Sequence, residues 1–290
     1  MITSITNGRI KQLVALRERG RLRNKEGVFV AEGLKMFEEA PMEYLKEVYV
    51  KETLWQQLMQ TASKQVEGRN RRIGNKLQQC MEHQILVEQL TEEVFNKAAD
   101  TQTPQGILFV MKQFSWSLPA ILENARSREQ AGGRAPLFLV LEDIQDPGNL
   151  GTMLRTAEGA GVDGVIVSKG TVDVYNPKTI RSTMGSLYRI PLIYSEDLTT
   201  EIALLKKANI TVYAAHLKGS VFFDEIAYQG GSAFLIGNES NGLSNQITAQ
   251  ADCLVKIPME GSLESLNAAV AAALLAYQAA GCQRKATKHV

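Results

Sequence analysis

Apolar positions along this chain recur at two alternating periods. Residues 5–20 place Ile10, Leu13, Val14 and Leu16 at helical spacing in an otherwise polar, basic segment. A short apolar run at 28–31 predicts a strand, and 32–40 a helix. A strand is expected at 45–50, a helix at 52–62 and another strand at 84–87. Thr91 opens a helix with Glu92 and Glu93 in its first turn, a favourable start because acidic groups complement the helix N-terminus. The apolar run 106–111 closes this set as a strand. Residues 1–112 therefore read as a small α/β domain. Residues 113–136 end in a polar stretch with Gly132, Gly133 and Pro136, which reads as a linker.

A second α/β domain is expected over 137–290. Its strands are predicted at 137–142, 164–168, 189–193, 210–215, 232–236 and 253–257. Helices are predicted at about 149–160, 177–185, 198–208, 242–249 and 265–280. Strands alternating with helices imply a mainly parallel sheet covered on both faces.

Charge changes the picture only locally. The whole chain has a formal net charge of +1. Residues 1–112 carry 17 basic and 14 acidic side chains, and 113–290 carry 15 and 17. Within 1–25 the bias is strong: Arg9, Lys11, Arg17, Arg19, Arg21, Arg23 and Lys25 face only Glu18. Such a patch can meet a polyanion or simply be a solvated helix face. The three cysteines, Cys80, Cys253 and Cys282, are too scattered for a disulfide framework or a zinc site, so no metal is expected. No apolar run approaches the ~20 residues that span a bilayer, and residues 1–20 are too polar for a secretory signal. A reducing cytoplasm is the expected compartment.

Three strand-to-helix junctions carry the candidate chemistry. The first is Glu142-Asp-Ile-Gln-Asp-Pro-Gly-Asn-Leu-Gly-Thr-Met-Leu-Arg-Thr-Ala. Pro147-Gly148 makes a turn, Asn149 is a good helix cap, and Arg155 lies early on the helix, where a guanidinium can fork onto a phosphate. The second is Phe234-Leu-Ile-Gly-Asn-Glu-Ser-Asn-Gly-Leu, in which Gly237 permits close approach to backbone and Glu239 sits in the loop where open α/β sheets bind ligands. In the third, Pro258 ends a strand, and Ser265 and Asn267 flank Leu266 at a helix start. Taken singly, each junction also reads as an ordinary capped turn.

Together, in this order, they resemble the three motifs of the SpoU/TrmH family of knotted, SPOUT-class RNA ribose 2′-O-methyltransferases. Asn149, Gly151, Arg155, Thr156 and Ala157 match the first motif. Gly237, Glu239 and Gly242 match the second. Ile257, Pro258, Met259, Gly261, Ser265, Leu266 and Asn267 match the third. One departure is Ala268-Ala269, where a branched residue and then serine are usual. The stretch Lys25-Glu-Gly-Val-Phe-Val-Ala-Glu-Gly resembles the small substrate-binding domain that precedes the catalytic domain in many members.

The resemblance implies S-adenosylmethionine as methyl donor and a trefoil knot near the C-terminus. It implies a homodimer, with the site partly formed by the second subunit. It assigns the catalytic work to Arg155, Asn149, Glu239, Ser265 and Asn267. The cofactor falls to Gly237, Ile257, Pro258 and Leu266, and RNA contact to Arg9, Lys11, Arg17, Arg21, Arg23 and Lys25. The expected substrate is 23S ribosomal RNA. A transfer RNA is the second choice, and a non-catalytic RNA-binding or ribosome-binding protein on the same fold is the rival class.

Overall fold

In the computed structural model, residues 1–62 and 68–287 are described. The chain opens with α1 (Gly8–Glu18), α2 (Gly20–Glu26), β1 (Val28–Glu32), α3 (Leu34–Glu39) and β2 (Leu45–Lys51). Next come α4 (Glu52–Ala62), α5 (Arg69–Glu82), β3 (Leu86–Leu90), α6 (Glu92–Ala98) and β4 (Ile107–Lys112). Then follow α7 (Leu118–Gln130), β5 (Leu137–Leu141), α8 (Pro147–Ala160), β6 (Gly164–Ser168) and α9 (Pro177–Thr183). The remainder is β7 (Leu192–Ser195), α10 (Leu198–Lys207), β8 (Thr211–Ala215), β9 (Val221–Phe222), β10 (Ser232–Ile236), α11 (Asn245–Thr248), β11 (Cys253–Lys256) and α12 (Ala268–Thr287). Among the described residues no helix is long and apolar enough to cross a membrane.

Two compact units emerge. The first joins Met1–Phe114 with Asp173–Tyr188. Its mixed sheet runs β1-β4-β2-β3, with β2 and β3 parallel and the other pairs antiparallel. Ile10, Leu13 and Leu16 of α1 pack with Phe95, Val30 and Val110. Helix α1 is the one expected at 5–20; the chain extends at Arg19, and a second helix, α2, follows it. Helix α5 was not anticipated; its buried Ile73, Leu77 and Cys80 are diluted by the polar residues between them.

Segment 173–188 was expected within the second domain, yet it packs into the first unit. Tyr175 stacks on Phe29 with ring centroids 4.6 Å apart, and its hydroxyl accepts from the Phe114 amide at 2.9 Å. Asp173 pairs with buried Arg23, and Arg181 with Asp100. A single cut at residue 112 leaves these long-range contacts out, since nothing local in the sequence signals them.

The second unit joins Ser115–Val172 with Arg189–Val290. Its sheet runs β7-β6-β5-β10-β8-β11-β9, every neighbouring pair parallel. Strands β5 and β10 are buried throughout, as central strands covered on both faces must be. Side chains alternate across the sheet: Phe138, Val140, Ala233 and Leu235 meet α7 and α10. Helix α12 packs on α8, β10 and β5. The expected linker is therefore corrected. Residues 118–130 form α7, whose Leu118, Ile121 and Ala125 are buried at helical spacing; residues 113–117 and the tail around Gly132 and Gly133 are irregular. Strand β7 begins at Leu192 rather than 189, because Pro191 has no N–H to give a ladder. Strand β9, two residues long at the sheet edge, is too short for periodicity to reveal.

Candidate functional site

The three junctions lie at the carboxyl ends of β5, β10 and β11, all at the same end of the parallel sheet. Helix α8 starts earlier than its pattern suggests. Asp146, not Asn149, is its cap: the Asp146 carboxylate accepts from the Asn149 amide at 2.8 Å, and Pro147 occupies the first turn. This frees the Asn149 side chain. Its Nδ2 donates to Glu239 Oε1 at 2.9 Å, and its Oδ1 accepts from Asn267 Nδ2 at 3.0 Å. Asn267 in turn caps α12, accepting from the amides of Ala269 and Val270 at 2.8 and 3.3 Å. One side chain from each motif thus joins a continuous chain of hydrogen bonds.

Glu239 is its hub. Oε1 also accepts from the Asp146 amide, and Oε2 from the Gln145 amide, both at 3.1 Å. Burial alone would push this carboxyl up. The donors from Asn149, Gln145 and Asp146 outweigh burial and hold it below the usual glutamate value. With both oxygens engaged and ionised, Glu239 is a positioning anion and a poor proton acceptor. The loop that carries it is fixed by Asn238, whose Nδ2 donates to the Asp143 carbonyl at 2.8 Å. Gly237 is required there: a Cβ would land inside the backbone of Gly242 and Leu243.

Beside Glu239 opens a cavity of about 410 Å³, within the range of small-molecule sites. Gly237, Ile257 and Leu266 line it, together with Glu239 and Ser265. Pro258 does not line it. Ala215, Ile236 and Val255 form an apolar floor at the strand ends, while Lys218, Ser240, Asn241 and Glu264 are exposed around it. His216 and Lys218, in the loop after β8, also line the cavity and were missed by sequence reasoning; the topology that inserts β8 between β10 and β11 is not a local signal.

Arg155 is placed differently. It is exposed on α8, lines none of this cavity, and makes no hydrogen bond or ion pair among the described residues. A shallower hollow of about 600 Å³ lies along α8 and α12, lined by Asn149, Thr152, Asn267, Val270, Leu274 and Tyr277. Val270, Leu274 and Tyr277 recur at i, i+4, i+7 and remain 46%, 38% and 47% exposed.

The basic segment also divides. Lys11, Arg21 and Lys25 are exposed. Arg9 is half exposed and pairs with Glu88 at 3.2 Å. Arg17 turns inward to the carbonyls of Ala98 and Ala99. Arg23 is only 3% exposed and is fully used by Asp173 and the carbonyls of Leu16 and Arg17. These two arginines stabilise the fold of the first unit, so the expectation that they meet RNA is corrected. The helical pattern cannot separate a buried guanidinium from an exposed one.

Comparison with known proteins identifies a family. Residues 136–277 match the SpoU rRNA Methylase family, and residues 7–108 match the MRM3-like substrate binding domain. The chain is 31% identical over 282 residues to the 23S rRNA (guanosine(2553)-2′-O)-methyltransferase RlmP of Bacillus subtilis, covering 97% of this chain and 99% of that one. Its fold is similar to the crystal structure of an rRNA methyltransferase from Sinorhizobium meliloti, with a TM-score of 0.78, 28% identity and 96% of each chain covered. The AdoMet-bound form of that methyltransferase matches equally well. By its catalytic-domain motifs, its N-terminal domain and its near end-to-end match to a relative, this chain belongs to the SpoU rRNA Methylase family.

Proposed function

We propose that this protein methylates a ribose 2′-hydroxyl of 23S ribosomal RNA, using S-adenosylmethionine and acting as a homodimer in the cytoplasm. The observation that carries the reading is the Asn267–Asn149–Glu239 hydrogen-bond chain beside the 410 Å³ cavity. The cavity suits the cofactor on its own evidence. Its floor is apolar, its rim is polar, and at Gly237 any side chain would collide with the facing backbone. Gly237, Ile257 and Leu266 hold the nucleoside half, with Ser265 at the edge. When bound, the cofactor supplies a sulfonium methyl that needs little further activation.

The acceptor is the harder partner, because a hydroxyl must lose its proton as it attacks. Glu239 does not take that proton, being held as a fully engaged carboxylate. It fixes the Gln145–Asn149 turn from which α8 projects Arg155. Arg155 hydrogen-bonds the hydroxyl and its neighbouring phosphate, lowering the cost of the developing alkoxide. A guanidinium offers only N–H donors, so Arg155 stabilises charge and does not act as a base. Asn149 and Asn267 keep the turn and the α12 start in register.

The open α12 stripe supports a two-fold interface that would bring Arg155 to a site shared with the partner. Lys11, Arg21 and Lys25, with half-exposed Arg9, provide phosphate contacts. The test is incubation with labelled S-adenosylmethionine and either ribosomal or transfer RNA, followed by mapping of ribose methylation. Label at a ribose of 23S RNA is the expected result. Label on a base, on transfer RNA alone, or on neither RNA overturns the proposal.

A further inference from the structure

One cavity residue has no role in the family motifs or in the chemistry above. His216 directly follows β8 and lines the cavity between Ala215 and Leu217. It is half-buried, whereas Leu217 and Lys218 beyond it are exposed. Its Nδ1 accepts from the Lys218 backbone amide at 3.1 Å. A ring nitrogen that accepts carries no hydrogen, which leaves Nε2 as the donor of the ring. The loop that sets this tautomer is itself fixed. The Gly219 amide donates to the His216 carbonyl at 3.0 Å, and a Cβ on Gly219 would sit 2.9 Å from the Lys256 nitrogen. Among the described residues nothing accepts from Nε2. The ring is therefore an oriented donor on the wall of a ligand cavity.

The part of the ligand it meets follows from polarity. The flat, apolar faces of an adenine suit the floor made by Ala215, Ile236 and Val255. The zwitterionic methionyl end suits the charged rim, where Lys218 and Glu264 are exposed. His216 adjoins the floor through Ala215. We infer that His216 is a cofactor-specificity residue, whose Nε2–H donates to a ring nitrogen or ribose oxygen of the nucleoside half of S-adenosylmethionine. This rests on the cofactor reading proposed above.

Isothermal titration of the full-length protein with S-adenosylhomocysteine and with 5′-methylthioadenosine, which lacks the amino-acid end, tests it. His216→Ala is expected to weaken both ligands by the same factor, about three- to tenfold, the usual weight of one hydrogen bond. His216→Gln, which keeps an N–H donor, is expected to recover part of the loss. Should His216→Ala fail to fold, His216→Phe fills the space without a donor and decides the matter in the same way. Unchanged affinity, or a loss confined to S-adenosylhomocysteine, overturns the inference. A wild-type protein that binds neither ligand overturns the cofactor reading and, with it, this inference.

Discussion

The strand-end cavity and the α8–α12 face of the C-terminal unit are built from neighbouring residues but are finished to different degrees. Around the cavity, Asn149, Glu239 and Asn267 are mutually hydrogen-bonded and the loop glycines are fixed by close backbone packing. Across α8, Arg155 has no partner among the described residues, and three large apolar side chains of α12 stand open. If the proposed chemistry holds, a single chain pre-organises the donor half of the site and leaves the acceptor half to groups from outside. The basic segment repeats the contrast. Arg17 and Arg23 are satisfied internally and hold the fold, while Lys11, Arg21 and Lys25 are exposed.

The sharpest way to break this comparison is Arg155→Ala. If the open face carries the acceptor chemistry, methyl transfer falls on the order of a thousandfold, as when a preorganised charge-stabilising donor is removed. Affinity for S-adenosylhomocysteine, measured by titration, stays within a few-fold. Retention of most of the turnover would show that the open arginine is incidental. The next largest effect is expected from Leu274→Glu, which puts a charge into the exposed stripe without touching the cavity lining. Analytical ultracentrifugation should find a monomer, with turnover reduced about a hundredfold, because a buried unpaired charge costs several kcal/mol. A variant that stays dimeric and active removes the stripe from the interface.

Much of this contrast was legible in the sequence, and the limits are physical. The motif residues Asn149, Glu239 and Asn267 converge because each lies in a junction that follows a parallel strand, and strand-helix alternation alone predicts that sheet. The cap of α8 was misplaced by three residues, since aspartate and asparagine cap equally well and only geometry shows Asp146 in use. Helix α7 hid behind a polar tail that resembled a linker. The inward turn of Arg23 depends on Asp173, 150 positions away, which no local window can reveal.

Glu239→Gln probes the satisfied half. An amide can accept but also brings donors against the Asn149, Gln145 and Asp146 N–H groups, so one contact is lost. Exposure to water discounts that loss, and a destabilisation of about 1 kcal/mol is expected. Its pH dependence has a definite sign. The glutamate is held below its unfolded value of about 4.3, so its contribution is full above that value and is lost as pH falls through the lower folded value. Urea melts of both proteins should therefore differ most near neutrality and converge in acid. A gap that widens in acid would mean that Glu239 is not the ionised hub described.

The smallest effect belongs to Arg21→Ala. Arg21 is exposed beside Arg19 and Lys25, around a shallow hollow at the α1–α2 junction. Among the described residues it has no hydrogen bond or ion pair, so the melting temperature should not move. If it contacts one phosphate, RNA affinity falls by a few-fold, and the slope of log affinity against log salt becomes shallower by about 1. The slope is the more telling readout, because it counts ionic contacts regardless of RNA sequence. An unchanged slope would mean that exposure of a cation in this segment does not mark an RNA contact, and the division between satisfied and open basic residues would lose its functional meaning.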